Sequence, residues 1–129
     1  MQAGIRIEGL DKLIRKLGRL KTFSELRPAM ERGVAMLHEG VADYPPPPEG
    51  STYRRTGTLG RRWTTKVETL TTFQGTIGNN TVYGPYVQDE AKQARVHKGR
   101  WQTIQGVVEE KRSAIVADFQ ALIRRILNG

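Results

Sequence analysis

Four consecutive prolines, Pro45 to Pro48, divide this chain into two parts that must fold by different means. A proline lacks the amide that helix and sheet ladders need, so neither element can run through the stretch. A proline run favours an extended polyproline segment instead. It is also the composition of a ligand for an SH3-type domain, but a stiff spacer that leads the chain out of a helix accounts for it, and that is the reading taken here. Apart from a short strand near the start, what precedes Tyr44 is helical in pattern, and what resembles a strand pair comes after it.

Before the prolines, Ala3 to Glu8 alternates in the manner of a short strand, with Ile5 and Ile7 on one face. Leu10, Leu13, Ile14, Leu17 and Leu20 then form the apolar stripe of a helix over 10–20. After a break at 21–24, Met30, Val34, Leu37 and Val41 mark one face of a second helix, with Pro28 in the first turn, where a missing amide is tolerated, and Tyr44 at its close.

Beyond the prolines, 49–56 continues as loop. Trp63, Thr65, Val67 and Thr69 alternate with Thr64, Lys66 and Glu68, which predicts a half-buried strand over 62–70. Thr71 and Thr72 make a hairpin turn, and Phe73, Gly75 and Ile77 begin the return strand, which Gly78, Asn79 and Asn80 end. Val82 to Val87 reads as a third strand or a short turn, interrupted at Gly84–Pro85. Residues 89–102 are polar and weakly patterned, and are expected to be a mobile loop. Ile104, Val108, Ile115, Phe119, Leu122 and Ile126 recur at helical spacing and predict a long amphipathic helix over 103–127. The expected fold is α+β: one domain spanning 1–129, with a small antiparallel sheet packed on one face by amphipathic helices and a long C-terminal helix.

Composition narrows function mostly by exclusion. The absence of cysteine removes disulfides, thiol nucleophiles and Cys-ligated metal sites together. The two histidines, His38 and His97, stand in unrelated contexts with no metal-ligand spacing. Ser24, Ser51 and Ser113 lack the setting of an activated nucleophile. Gly57, Gly60, Gly75, Gly78 and Gly84 match neither a phosphate-binding loop nor a dinucleotide fingerprint. No catalytic residues, metal or cofactor are therefore expected, and a nuclease built on His97 with Lys98 or Arg100 is a remote third reading. No apolar run is long enough to span a membrane, and Met1 to Gly9 lacks the apolar core of a signal peptide, so the chain is expected to be cytosolic when made.

The formal net charge of +8 is the strongest compositional signal. It is concentrated: Arg54, Arg55, Arg61, Arg62 and Lys66 lie in 53–66 with no acid, and Lys92, Arg95, Lys98 and Arg100 lie in 91–101 with no acid. Such stretches seek nucleic acid or an acidic protein surface. Because Tyr53, Trp63 and Trp101 are interleaved with them, a small basic protein that contacts the phosphate backbone and stacks on bases is one reading. No motif for sequence-specific recognition is present.

Two short motifs flank the hairpin. The first is Thr56-Gly57-Thr58-Leu59-Gly60-Arg61 and the second is Tyr83-Gly84-Pro85-Tyr86-Val87-Gln88. They resemble the Thr-Gly-x-Leu-Arg and Tyr-Ala-x-Tyr-Val-Glu segments of the siphophage neck proteins similar to gene product ten of lambdoid phages. The opening Ile7-Glu8-Gly9-Leu10-Asp11-Lys12-Leu13 is similar to the start of that family. This chain departs from the pattern at Gly60-Arg61-Arg62 and at Gln88-Asp89-Glu90. The resemblance implies a structural virion protein that forms a ring, with a hexamer favoured, in the head-to-tail neck. Tail completion protein, tail terminator and connector adaptor all remain open as its role. The implied partners are other copies of itself, the portal-side connector protein and the tail tube protein, with lumenal contact to packaged DNA. Its place would be the virion neck, and the host cytoplasm during assembly. On this reading Thr56, Gly57, Leu59, Tyr83, Tyr86 and Val87 hold the family's local structure. The loops 45–62 and 88–102 make contacts through Arg54, Arg55, Arg61, Arg62, Lys98 and Arg100, facing either a neighbouring subunit or DNA.

Overall fold

The computed structural model describes residues 1–6, 23–46, 50, 58–69 and 73–128. The expected helix over 10–20, the hairpin turn at Thr71–Thr72, and Arg54, Arg55, Thr56 and Gly57 lie outside them. The regular elements are strand β1 (Gln2–Arg6), helix α1 (Arg27–Val41), the short helix α2 (Thr58–Arg61), strands β2 (Trp63–Glu68) and β3 (Gln74–Asn79), the short helix α3 (Gly84–Gln88) and helix α4 (Ile104–Asn128). Single 3-10 turns occur at Phe23–Leu26 and Arg95–His97.

The three strands form one antiparallel sheet in the order β1-β3-β2. Ala3 pairs with Ile77 and Ile5 with Gly75 on one side of β3. On its other side Trp63 pairs with Asn79 and Val67 with Gly75. Because side chains alternate across a strand, this register puts Ile5, Gly75, Ile77, Asn79 and Trp63 on one face, against which α1 and α4 pack. The α+β class, the antiparallel sheet with helices on one face and the long C-terminal helix are as the sequence predicts.

Helix α1 carries Pro28 in its first turn and buries Met30, Val34, Leu37 and Val41, the face given by their spacing. It stops at Val41, three residues before Tyr44, whose ring is used elsewhere. Gly75 explains how closely α1 approaches the sheet. A Cβ there would lie 2.5 Å from Val34 Cγ2 and 2.7 Å from Met30 Sδ, so the helix side chains rest directly on the β3 backbone. Gly40 serves the helix pair in the same way, since its Cβ would lie 2.5 Å from Val107 Cγ1. Val107, absent from the predicted stripe, is fully buried for this reason.

Helix α4 starts one residue later than expected because Thr103 caps it. The Thr103 hydroxyl accepts from the Gly106 amide at 3.0 Å, satisfying one of the donors a helix start leaves open. Further along, Phe119 meets Phe73 edge to face with centroids 5.9 Å apart, an arrangement worth about 1 kcal/mol beyond area burial. At the surface Arg32 bridges α1 to Asp118 of α4 at 2.8 Å, and this hydrogen bond holds the guanidinium above its ordinary pKa.

Of the two readings of 82–87, strand or short turn, the strand is corrected: the chain turns at 82–83 into α3, and the third strand of the sheet is β1, within the strand expected over Ala3 to Glu8. Pro85 sits at the start of that helix, where it needs no partner for its nitrogen, whereas it would leave a gap in a sheet ladder. The segment 89–102, expected to be mobile, is a series of hydrogen-bonded turns, for reasons given next.

Candidate functional site

The two sequence motifs, separated by the hairpin, meet at Asn79. This asparagine ends β3 on the core face and is buried. Its side-chain amide donates to the Leu59 carbonyl at 2.9 Å, and its oxygen accepts from the Thr81 backbone amide at 2.9 Å. Leu59 itself is buried, and Gly84 lies against it: a Cβ on Gly84 would be 3.5 Å from Leu59 Cδ1. The Leu59 segment and the Tyr83-Gly84-Pro85 segment are therefore one local structure, fastened to the end of the sheet. Thr56 and Gly57, the first residues of the earlier motif, fall outside the described residues.

The second motif ends at Gln88, which is only 1% exposed. Its amide nitrogen donates to the Val41 carbonyl at 2.8 Å and to the Gln102 carbonyl at 3.2 Å. One side chain thus joins α3 to the end of α1 and to the approach to α4. Gln93 repeats the device within the loop, donating to the carbonyls of Val87 at 2.7 Å and Trp101 at 3.1 Å. The Ala94 amide donates to the Tyr86 carbonyl at 2.7 Å. Asp89 accepts from the Ala91 amide and from the Gln105 side chain. Between them these bonds hold 88–102 in a fixed course, which hydrophobic periodicity alone does not reveal because the fastening groups are amides.

An aromatic bridge joins the described parts of the two basic stretches. Trp63 Nε1 donates to Tyr44 Oη at 2.7 Å, the Tyr44 ring lies 5.1 Å from Trp101, and His97 meets Trp101 edge on at 6.0 Å. The bridge links the end of α1, the start of β2 and the loop before α4. Arg61 and Arg62 precede Trp63 in the chain, and Lys98 and Arg100 precede Trp101. All four cations are exposed. None of the four forms an ion pair among the described residues. Trp63 is only 8% exposed and its indole N–H is already bonded, so it is closed to a nucleobase.

What the site offers to solvent is different. Among the described residues the exposed large hydrophobic side chains are Val82 (89%), Tyr83 (44%), Tyr86 (57%), Val96 (66%) and, apart from them, Val116. The first four fall between positions 82 and 96, and the Ala94–Tyr86 backbone bond holds the two halves of that stretch together. Val87, the remaining motif residue, is half-buried. Exposed apolar side chains and the exposed cations Arg95, Lys98 and Arg100 thus share one braced stretch of chain.

Sequence reasoning singled out Tyr83 and Tyr86 but did not single out Val82, Val96, Asn79, Gln88 as a tie, or Tyr44. Available signals were an apolar residue at a turn position and amides inside apolar stretches. Among the described residues no group of three His, Asp or Glu side chains is placed to hold a metal ion. No described helix is long and apolar enough to cross a membrane. No known protein family, no curated protein and no solved structure matches the chain.

Proposed function

We propose that this protein is a structural subunit that assembles with copies of itself into a closed ring, in the manner of the phage neck proteins that its motifs resemble. The observation that carries the reading is the Val82, Tyr83, Tyr86 and Val96 patch, exposed on a loop that the amides of Gln88 and Gln93 hold in place. A monomer has no use for four exposed apolar side chains on a loop so thoroughly braced, whereas a subunit interface needs them presented in fixed positions. Head-to-tail contacts between unlike surfaces close into a ring where the rotation from subunit to subunit closes, and the patch supplies one of the two surfaces.

On this reading the protein belongs to the virion neck, as tail completion protein, tail terminator or connector adaptor. It contacts the portal-side connector on one side and the tail tube on the other, and a hexamer matches a sixfold tail. It performs no catalytic step. Arg61, Arg62, Lys98 and Arg100, with no ion pair among the described residues, favour a second reading, in which a small basic protein grips the phosphate backbone of DNA. Trp63 is closed to bases, so stacking on that reading falls to other aromatic side chains.

Electron microscopy of the negatively stained protein, with and without short random duplex DNA, separates the two. Closed rings of one diameter in the absence of DNA are expected. Single particles of monomer size, combined with DNA binding that falls steeply with salt, would overturn the ring and favour the backbone-binding reading.

A further inference from the structure

Resting on the ring reading, we infer that the Tyr86 and Val96 patch docks, in the next copy of this chain, onto an acidic hollow between the end of α1 and the first turns of α4. The hollow has a volume of about 430 Å3 and is lined by Glu39, Asp43 and Glu110, with Gly40, Gln102 and Lys111 completing its wall. Three carboxylates gathered around one hollow stand out in a chain whose formal charge is +8. None of the three forms an ion pair among the described residues. The ion pairs of α1 and α4 engage other acids: Glu31, Asp118 and Glu109.

The patch supplies the complement. Tyr86 and Val96 are more than half exposed, and Arg95, Lys98 and Arg100, on the stretch that Ala94 ties to Tyr86, are exposed and form no ion pair among the described residues. Two copies cannot join patch to patch, because that would press the same cations together. Hollow to hollow would likewise oppose carboxylates. Patch to hollow pairs opposite charges and covers the apolar side chains in the same step. The contact is then between unlike surfaces, which on the ring reading propagates from subunit to subunit until it closes. Each subunit then carries a patch that engages one neighbour and a hollow that engages the other.

Charge exchange tests this. One variant carries Lys98→Glu and Arg100→Glu; the other carries Glu39→Lys and Glu110→Lys. All four side chains are exposed. Thermal melts establish that each variant folds, and light scattering after size exclusion gives its mass. At a concentration where the unaltered chain is assembled, each variant alone is expected to be monomeric, needing at least roughly tenfold more protein to assemble. An equal mixture is expected to regain the mass of the unaltered assembly, because each reversed patch then meets a reversed hollow. Normal assembly of either variant alone would overturn the inference while leaving the ring intact. So would a mixture that stays monomeric. A monomeric unaltered chain would instead remove the ring reading itself.

Discussion

Replacing Gln88 by glutamate is expected to lower stability by about 3 kcal/mol at pH 7 and by far less at pH 4, where the new carboxyl is protonated. The amide nitrogen of Gln88 donates to two backbone carbonyls, Val41 and Gln102, in a place almost sealed from water. A carboxylate there would face those carbonyls with oxygens, without a hydrogen to offer, and would lose its hydration. The protonated acid keeps one donor and fits better. The folded state therefore raises the pKa of the introduced glutamate above its unfolded value of about 4.3. For an acid shifted in that direction the folded state binds protons more readily, so the variant's deficit grows as pH rises above the unfolded value and levels off above the folded one. Urea unfolding of both proteins at acidic and neutral pH measures it. A deficit independent of pH would mean that Gln88 does not hold the loop through its donor group. The two carbonyls of Val41 and Gln102 make glutamine, a donor, the side chain that suits this place.

Removing the Asn79 side chain, in Asn79→Ala, is expected to cost about 2 kcal/mol, because it takes a hydrogen bond from the Leu59 carbonyl and strands the Thr81 amide. The damage is local in origin. Asn79 is the point at which the Leu59 helix and the Tyr83-Gly84-Pro85 turn are joined, so both are released together. Hydrogen exchange is expected to quicken at Thr81 and through α3 while the α1–α4 pair remains protected. Asn79→Asp keeps the acceptor for Thr81 but turns an oxygen toward Leu59, and is expected to be at least as harmful. Unchanged unfolding midpoints and unchanged exchange in both variants would show that the two motifs are held together by other means.

The parts of the fold that rest on periodicity were legible in the sequence. Met30, Val34, Leu37 and Val41 gave the buried face of α1, and Ile104, Ile115 and Phe119 gave that of α4. Trp63, Val67, Gly75 and Ile77 gave the core face of the hairpin. What escaped depended on contacts between distant segments. Val107 is buried because Gly40, far away in sequence, lets two helices close on it. The course of 88–102 is fixed by Gln88, Gln93 and Asp89, whose polarity made the segment read as loose.

Legibility of the candidate surface was likewise divided. The cations were visible at once as two clusters, but the sequence placed them on separate loops. Only the Trp63–Tyr44–Trp101 bridge shows those loops sharing one foundation. Tyr83 and Tyr86 were read as residues that hold local structure, and their exposure is what the proposal of a contact surface adds to that reading. Burial decides between those roles, and a side chain's burial is set by the fold as a whole.

The most direct measurement of the ring assembly is the solution mass of the purified protein, by light scattering after size exclusion, at low and at physiological salt. The account predicts a single assembled species, with six chains favoured, persisting at physiological salt. Charges at the rim of a contact are screened beyond about 8 Å under those conditions, while the buried apolar centre is not. A monomer mass at every concentration and both salts would contradict it.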